Sequence, residues 1–120
     1  MARSNDTTAD GYVDIYLLPI PERNVAAYRE QATLFGRVAR EYGALRYREF
    51  RADDLGDAFK VGDGDLLTAA VVDFKSRAHR DEVMAKVMCD ERVEQLICGQ
   101  QPLADMSRMS YGGFETFVSA

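Results

Sequence analysis

The chain has 120 residues, of which 47% are hydrophobic and 29% are charged, and its formal net charge is −5. This length predicts a single core that needs neither a disulfide nor a structural metal. The negative charge disfavours nucleic acid and anionic membranes as partners. No run approaches the ~18 apolar residues of a membrane span.

The first ten residues, MARSNDTTAD, are polar and lack the apolar stretch of a secretory signal peptide. We therefore expect residues 1–10 to form a flexible tail and residues 11–120 to form one domain. Cys89 and Cys98 lie outside any CxxC motif, which favours free thiols in a reducing compartment over a disulfide. These features together predict a cytoplasmic protein.

The first half of the chain alternates between strand and helix patterns. Period-two alternation over Gly11–Leu18 predicts a strand, which the two following prolines should end. Helical spacing of apolar residues, from an N-cap at Asn24 to a stop at Gly43, then predicts an amphipathic helix. Alternation returns over Ala44–Arg51 and predicts a second strand, with Tyr47 and Glu49 on the same side.

An acidic, glycine-rich loop follows over Asp53–Asp65. The nearly continuous apolar run Leu66–Phe74 then predicts the central strand of the sheet, buried on both faces. Ser76 is placed to cap a second helix over Arg77–Cys89, and Glu91–Ile97 predicts a further helical turn.

The last predicted element is a strand over Arg108–Val118 that closes the sheet. The pair Gly112-Gly113 interrupts its alternation of aromatic and polar residues. Glycine within a strand pattern indicates a bulge or a close approach of another group to the backbone.

The element order is strand, helix, strand, strand, helix, strand. This order predicts a ferredoxin-like α+β protomer, a four-stranded antiparallel sheet with both helices on one face. An uncovered apolar face is rare in monomers, so we expect a symmetric homodimer packed sheet against sheet as a dimeric α/β barrel. The side chains expected on that face are Tyr12, Tyr16, Leu45 or Tyr47, and Phe114 or Phe117.

Several stretches resemble the small bacterial YbaA-like family, a family of unknown function in the dimeric α/β-barrel superfamily. They are YVDIYLLPIP with NVAAYRE after it, REYGALRYREF, SRAHRDEVMAKVMCDERV and RMSYGGFE. The resemblance extends from Tyr12 to about Val118 and implies the ferredoxin-like protomer and the dimeric barrel. It implies no established activity. The family usually has a longer, lysine-containing stretch where this chain has DAFKVGDGD.

A candidate ligand-binding site follows from the predicted strands. Asp14 and Tyr16 should share a face, and neighbouring strands should bring Glu49 and Tyr111 toward them. A carboxylate among phenols can orient a polar ligand or act as a general base. The alternative is structural, because strand carboxylates commonly form ion pairs and buried phenols commonly pack with satisfied hydroxyls. The arginines expected to pair with these carboxylates are Arg46, Arg48 and Arg108.

No cofactor or metal site is predicted. His79 is the single histidine, the acidic loop lacks EF-hand spacing, and the glycines match no phosphate-binding motif. The favoured function is a homodimer that binds a small apolar or aromatic metabolite in a cavity of the barrel. Two alternatives stay open, a cofactor-independent enzyme of the monooxygenase or isomerase type and a structural or stress-associated dimer without a ligand.

Overall fold

The computed structural model describes residues 11–99 and 102–120, so the predicted tail at residues 1–10 lies outside the described part. Strand β1 is Tyr12–Pro21, helix α1 is Val25–Glu41, strand β2 is Arg46–Arg51 and strand β3 is Asp65–Phe74. Helix α2 is Arg77–Met88, helix α3 is Glu91–Cys98 and strand β4 is Ser110–Glu115. Short 3₁₀ turns precede α1 and β4, at Glu22–Asn24 and Met106–Arg108.

The four strands form one antiparallel sheet in the order β2-β3-β1-β4. This confirms the predicted α+β architecture and its four-stranded sheet. The predicted helical turn after α2 is a separate eight-residue helix, α3. Its N-cap is Asp90, whose side chain accepts the backbone N–H of Arg92 at 2.8 Å.

The helices cover one face of the sheet, and the core lies between them. Apolar side chains from β3 and from all three helices meet there with almost no exposure. They are Val38, Ala39, Val72, Phe74, Val83, Val87 and Val93.

Two of the predicted helix boundaries, at Ser76 and Gly43, are confirmed, and the one at Asn24 is not. The Ser76 hydroxyl accepts the backbone N–H of His79 at 3.1 Å and caps α2, as expected. Gly43 has φ +119°, a left-handed conformation that glycine tolerates after a helix. The prediction for Asn24 was wrong, because its side chain makes no cap and instead donates to the carbonyl of Leu103 at 2.8 Å.

Strand β1 continues through both prolines, contrary to the prediction. It pairs with β3 as far as Pro21, whereas its pairing with β4 ends at Leu17. Beyond Leu17, one side of β1 therefore has no neighbouring strand, and a proline without an N–H costs little there. The same pairing explains why β4 is shorter than predicted, since Glu115 is paired with Tyr12, the first residue of β1.

The tyrosines of β1 and β2 lie on the opposite face of the sheet from the predicted one, whereas Phe114 lies on the open face, as one of the predicted alternatives had it. Tyr12, Tyr16 and Tyr47 pack against the core beneath the helices. Alternation therefore places the other row of side chains on the open face, and this row is also largely apolar. Its apolar members include Val13, Ile15, Leu17, Phe50, Ala69, Val71 and Phe114, and the charged side chains of Arg46, Arg48 and Asp73 lie on the same face.

Strand β3 is central, as predicted, but it is not buried on both faces. Val72 and Phe74 are fully buried beneath the helices, whereas Val71 and Asp73 on the open face are half-buried. The helices cover only one face, so burial along β3 alternates.

Glycine at position 113 is required by a close approach, one of the two predicted reasons for the Gly112-Gly113 pair. A Cβ atom at Gly113 would overlap the phenol of Tyr12, whereas one at Gly112 would lie 3.6 Å from Phe114. Pairing with β1 runs without interruption through both glycines, so there is no bulge.

Cys89 and Cys98 are free thiols, and both are exposed. Within residues 11–99 and 102–120, no helix is long and apolar enough to cross a membrane.

Candidate ligand-binding site

The strand register brings three of the four predicted site residues into one row across the sheet. Tyr111 on β4 is opposite Tyr16 on β1, Tyr16 is opposite Ala70 on β3, and Ala70 is opposite Glu49 on β2. This row faces the helices. Asp14 lies two residues before Tyr16, in the neighbouring row on the same face.

Asp14 is 3% exposed and is paired with an arginine of α2. Arg80 donates to one carboxylate oxygen at 2.6 Å, and the hydroxyl of Tyr16 donates to the other at 3.3 Å. Burial raises the pKa of Asp14, and the guanidinium of Arg80 opposes this effect. Asp14 thus forms the ion pair that the structural alternative expected, but with an arginine on a helix rather than on a strand.

Tyr16 links this ion pair to the aromatic end of the row. Its ring is stacked on that of Tyr111, with centroids 5.7 Å apart and planes inclined by 13°. Burial, followed by the Asp14 carboxylate, raises the pKa of Tyr16 above its usual range. The hydroxyl therefore stays protonated and serves as a donor. Tyr111 is 71% exposed and presents the outer face of the stacked pair to solvent.

Glu49, at the other end of the row, accepts two phenol hydrogen bonds. Tyr28 of α1 donates to Oε1 at 2.8 Å, and Tyr47 of β2 donates to Oε2. Burial, followed by the Glu49 carboxylate, raises the pKa of both phenols well above the usual tyrosine range. Both hydroxyls are therefore fixed donors, and each oxygen of Glu49 already has one partner.

Tyr28 and Tyr47 were not among the predicted site residues, although the sequence carried a signal for each. Tyr47 precedes Glu49 by two positions and must share its face of β2. Tyr28 lies on the apolar stripe that predicted α1. Close packing positions the Tyr47 ring, since a Cβ at Gly36 of α1 would overlap it.

A groove of about 870 Å³ lies between α1 and the sheet, where the edge strand β2 pairs with β3. Glu49, Tyr28 and Tyr47 line it, together with the apolar side chains of Ile20 and Val25. Its size lies within the range of small-molecule sites. Among the predicted site residues, Glu49 lines the groove, whereas Asp14, Tyr16 and Tyr111 form a separate cluster next to it.

No group of three or more His, Cys, Asp or Glu side chains suitable for a metal ion occurs in the described parts of the chain. His79 has a local structural role. Its Nδ1 accepts the backbone N–H of Lys75 at 3.0 Å, and its ring meets Phe74 edge-on at 5.9 Å.

A family model described as "Protein of unknown function (DUF1428)" matches residues 11–105. The chain belongs to this family. It is also 31% identical over 115 residues to the uncharacterised protein YbaA of Escherichia coli K12, which covers 89% of this chain and 97% of YbaA. The YbaA protein of Shigella flexneri matches to the same extent. These matches confirm the resemblance on which the sequence analysis relied.

Solved structures share the fold at low sequence identity. PA3566 from Pseudomonas aeruginosa superposes with a TM-score of 0.60 at 11% identity, over 92% of this chain and 98% of that one. A NIPSNAP-family protein of unknown function from Agrobacterium tumefaciens gives 0.60 at 14% identity, over 90% and 89% of the two chains. A dimeric ferredoxin-like protein from an uncultured marine organism gives 0.55 at 11% identity, over 92% and 99%. These likenesses show a ferredoxin-like fold.

Proposed function

We propose that this DUF1428 protein binds a small molecule with an apolar or aromatic body in the groove between α1 and β2. The observation that carries the proposal is the carboxylate of Glu49 at the wall of a groove of about 870 Å³, held by two phenols. Apolar and aromatic side chains beside fixed polar groups are the usual composition of a small-molecule site, and arginines line this groove as well. The walls supply binding energy, and Glu49 with its phenols sets the orientation of the ligand.

The neighbouring cluster of Asp14, Tyr16 and Tyr111 forms a second part of the proposed site. The ion pair of Arg80 with Asp14 fixes the Tyr16 hydroxyl, and the Tyr16 ring in turn supports Tyr111. Tyr111 then offers an exposed aromatic surface at the end of the row, where a ligand ring can stack.

Binding without chemistry is favoured over a cofactor-independent enzyme. A general base must reach the proton that it removes. Both oxygens of Glu49 already accept phenol hydrogen bonds, and Asp14 is buried against Arg80. Neither carboxylate is presented to the groove as an unoccupied acceptor, which weakens the monooxygenase or isomerase alternative.

We further propose that the protein is a homodimer packed through the open face of the sheet, in the manner of a dimeric α/β barrel. That face carries a continuous row of apolar side chains, which a monomer would leave in water at a cost. Phe50 is 41% exposed and Phe114 is 53% exposed. The neighbour from an uncultured marine organism is itself described as dimeric, and a second copy of this chain would cover the face symmetrically.

The free, exposed thiols of Cys89 and Cys98 suit a reducing compartment, and we place the protein in the cytoplasm. A dimer with a purely structural role would account for the open face, but it would leave the groove and its ordered phenols without a use.

Native mass spectrometry of freshly purified protein tests assembly and ligand together. We expect a dimer that carries a discrete extra mass, and we expect Glu49→Gln to lose that mass without losing the dimer. Glu82→Gln is the control, since Glu82 lies on the exposed side of α2, away from the groove. A dimer free of extra mass in both proteins, with no ligand recovered after denaturation, would favour the purely structural role. A monomer at micromolar concentration would refute the packing through the open face.

A further inference from the structure

The groove between α1 and β2 carries a high density of positive charge. Six arginines are among its described lining residues, but the strand register places Arg46 and Arg48 of β2 on the open face beside Asp73 and Val71, so four arginines remain on the groove side. Glu49 is the one acidic residue in the described lining, so these five side chains give a formal charge of +3, in a chain whose net charge is −5. The four arginines are Arg29, Arg37, Arg40 and Arg51.

Three of these arginines lack an ion-paired acidic partner within residues 11–99 and 102–120. Arg29, Arg37 and Arg51 make no ion pair with any residue in the described ranges. Elsewhere on the molecule, arginines such as Arg80 and Arg92 are each paired with two carboxylates. Like charges placed together on neighbouring turns and strands destabilise a fold, so an uncompensated group of this size calls for an external anion.

The fourth arginine, Arg40, is held in place at the same groove. Its guanidinium donates to the backbone carbonyls of Ala44 and Leu45, just before β2. The carbonyls leave the charge of Arg40 intact while fixing its position, which lowers the entropic cost of engaging an anion.

We propose that the ligand of this groove is an anion, a small molecule with an apolar or aromatic body and a carboxylate or phosphate group that the arginines bind. The inference rests on the proposed function and adds the chemical class of the ligand. Guanidinium groups match the geometry of both oxyanions through paired N–H donors. Ile20, Val25 and Ala32 supply the apolar wall for the body.

The phenols explain why the anionic group binds at the rim and not at the inner wall. Glu49 would repel an oxyanion at close range, and the hydroxyls of Tyr28 and Tyr47 are both directed at Glu49. The apolar body is therefore expected against the inner wall, beside these rings, with the charged group directed outward to the arginines.

The test is a titration of the full chain with small aromatic probes, in which binding is measured by the shifts of backbone amide signals in NMR spectra. The probes are 1-naphthoate, 1-naphthyl phosphate and the uncharged 1-naphthamide, which share an aromatic body. We expect saturable shifts on α1 and β2 with both anions, weakening as salt is raised. We expect binding of the amide to be at least about 10-fold weaker, because the charge-assisted hydrogen bonds are lost.

Variants link the preference to the groove. Arg29→Gln combined with Arg51→Gln removes two unpaired charges and should weaken both anions by about 10-fold while leaving the amide unchanged. The matched control, Arg23→Gln with Arg77→Gln, makes the same change of charge outside the groove and should alter no affinity by more than about 2-fold.

The outcomes separate the two proposals. If the amide binds the groove as tightly as the anions, the anionic class is refuted and the binding function stands. If none of the three probes shifts the groove amides, both are refuted. If the control pair weakens the anions as much as the groove pair does, long-range charge and not the groove is responsible, and the inference fails.

Discussion

Replacing Arg80 with methionine gives the sharpest test of how the candidate site is held together. Methionine keeps much of the length and the apolar contacts of the arginine stem but removes the partner of a carboxylate that is 3% exposed. Breaking a buried ion pair by removing one partner costs roughly 3–5 kcal/mol. The Arg80 side chain is 21% exposed, and water can partly replace it, so we expect a loss of about 3 kcal/mol.

The measurement is urea and thermal unfolding at fixed protein concentration. With an unfolding entropy of about 2.1 cal/mol/K per residue, a loss of about 3 kcal/mol lowers the melting temperature by about 12 °C. Arg77→Met on the same helix is the control, because Arg77 is exposed and has no ion pair among the described residues. It should change stability by less than about 0.5 kcal/mol.

The pH dependence identifies the mechanism. Without Arg80, the Tyr16 hydrogen bond alone opposes the burial that raises the pKa of Asp14. A raised folded-state pKa means that stability is lost as pH rises from the unfolded value of about 3.9 through the folded value. The deficit of Arg80→Met should therefore be largest at neutral pH and small below about pH 4.

A second variant completes the test. Combining Arg80→Met with Asp14→Asn removes the buried charge and should recover about half of the lost stability at neutral pH. A deficit that does not change with pH, and that Asp14→Asn does not relieve, would show that Arg80 acts through packing and would refute the electrostatic account.

Three further predictions concern packing and ionisation. Gly113→Ala should lower the free energy of unfolding in urea by about 1–3 kcal/mol, because the added Cβ overlaps the Tyr12 phenol. Gly112→Ala is the control and should be nearly neutral. Equal losses in the two variants would contradict the close approach at Gly113. Hydrogen bonds from Arg92 hold the pKa of Asp90 well below its usual range. Asp90→Asn should therefore lower the melting temperature at neutral pH, and this deficit should shrink only as pH falls below about 3.9 toward the depressed folded-state pKa, where the wild-type carboxylate becomes protonated. Absorbance titration should show three phenols that ionise only as the protein unfolds in alkali, those of Tyr16, Tyr28 and Tyr47. Ionisation of any of them in the folded protein would contradict their burial.

The sequence was sufficient for the element order, but not for which face of the sheet the helices cover. Along β1, alternation separated Tyr12 and Tyr16 from Val13 and Ile15, and this separation is correct. Both rows are apolar enough to be buried, so periodicity could not say which row meets the helices. The choice depends on contacts distant in sequence, such as the pairing of Asp14 with Arg80, 66 positions away.

The candidate site shows the same division between local and distant information. The prediction that Asp14, Tyr16, Glu49 and Tyr111 share a face was a matter of strand parity and register, and the structure places them on one face. Their hydrogen-bond partners come from helices whose placement depends on tertiary packing. The position of Tyr28 over Glu49 therefore could not be read from the strands.

The net charge of the chain predicts its behaviour toward large partners, but not toward a small ligand in the groove. A total of −5 argues against long polyanions, because at long range a protein interacts through its summed charge. At physiological salt the screening length is about 8 Å, so a small molecule inside the groove responds mainly to the groove itself. On the groove side of the sheet the arginines outnumber the acid by four to one among the described lining residues. An acidic protein can thus exclude nucleic acid and still select a small anion, and the distribution of charge, not its sum, determines which anion it accepts.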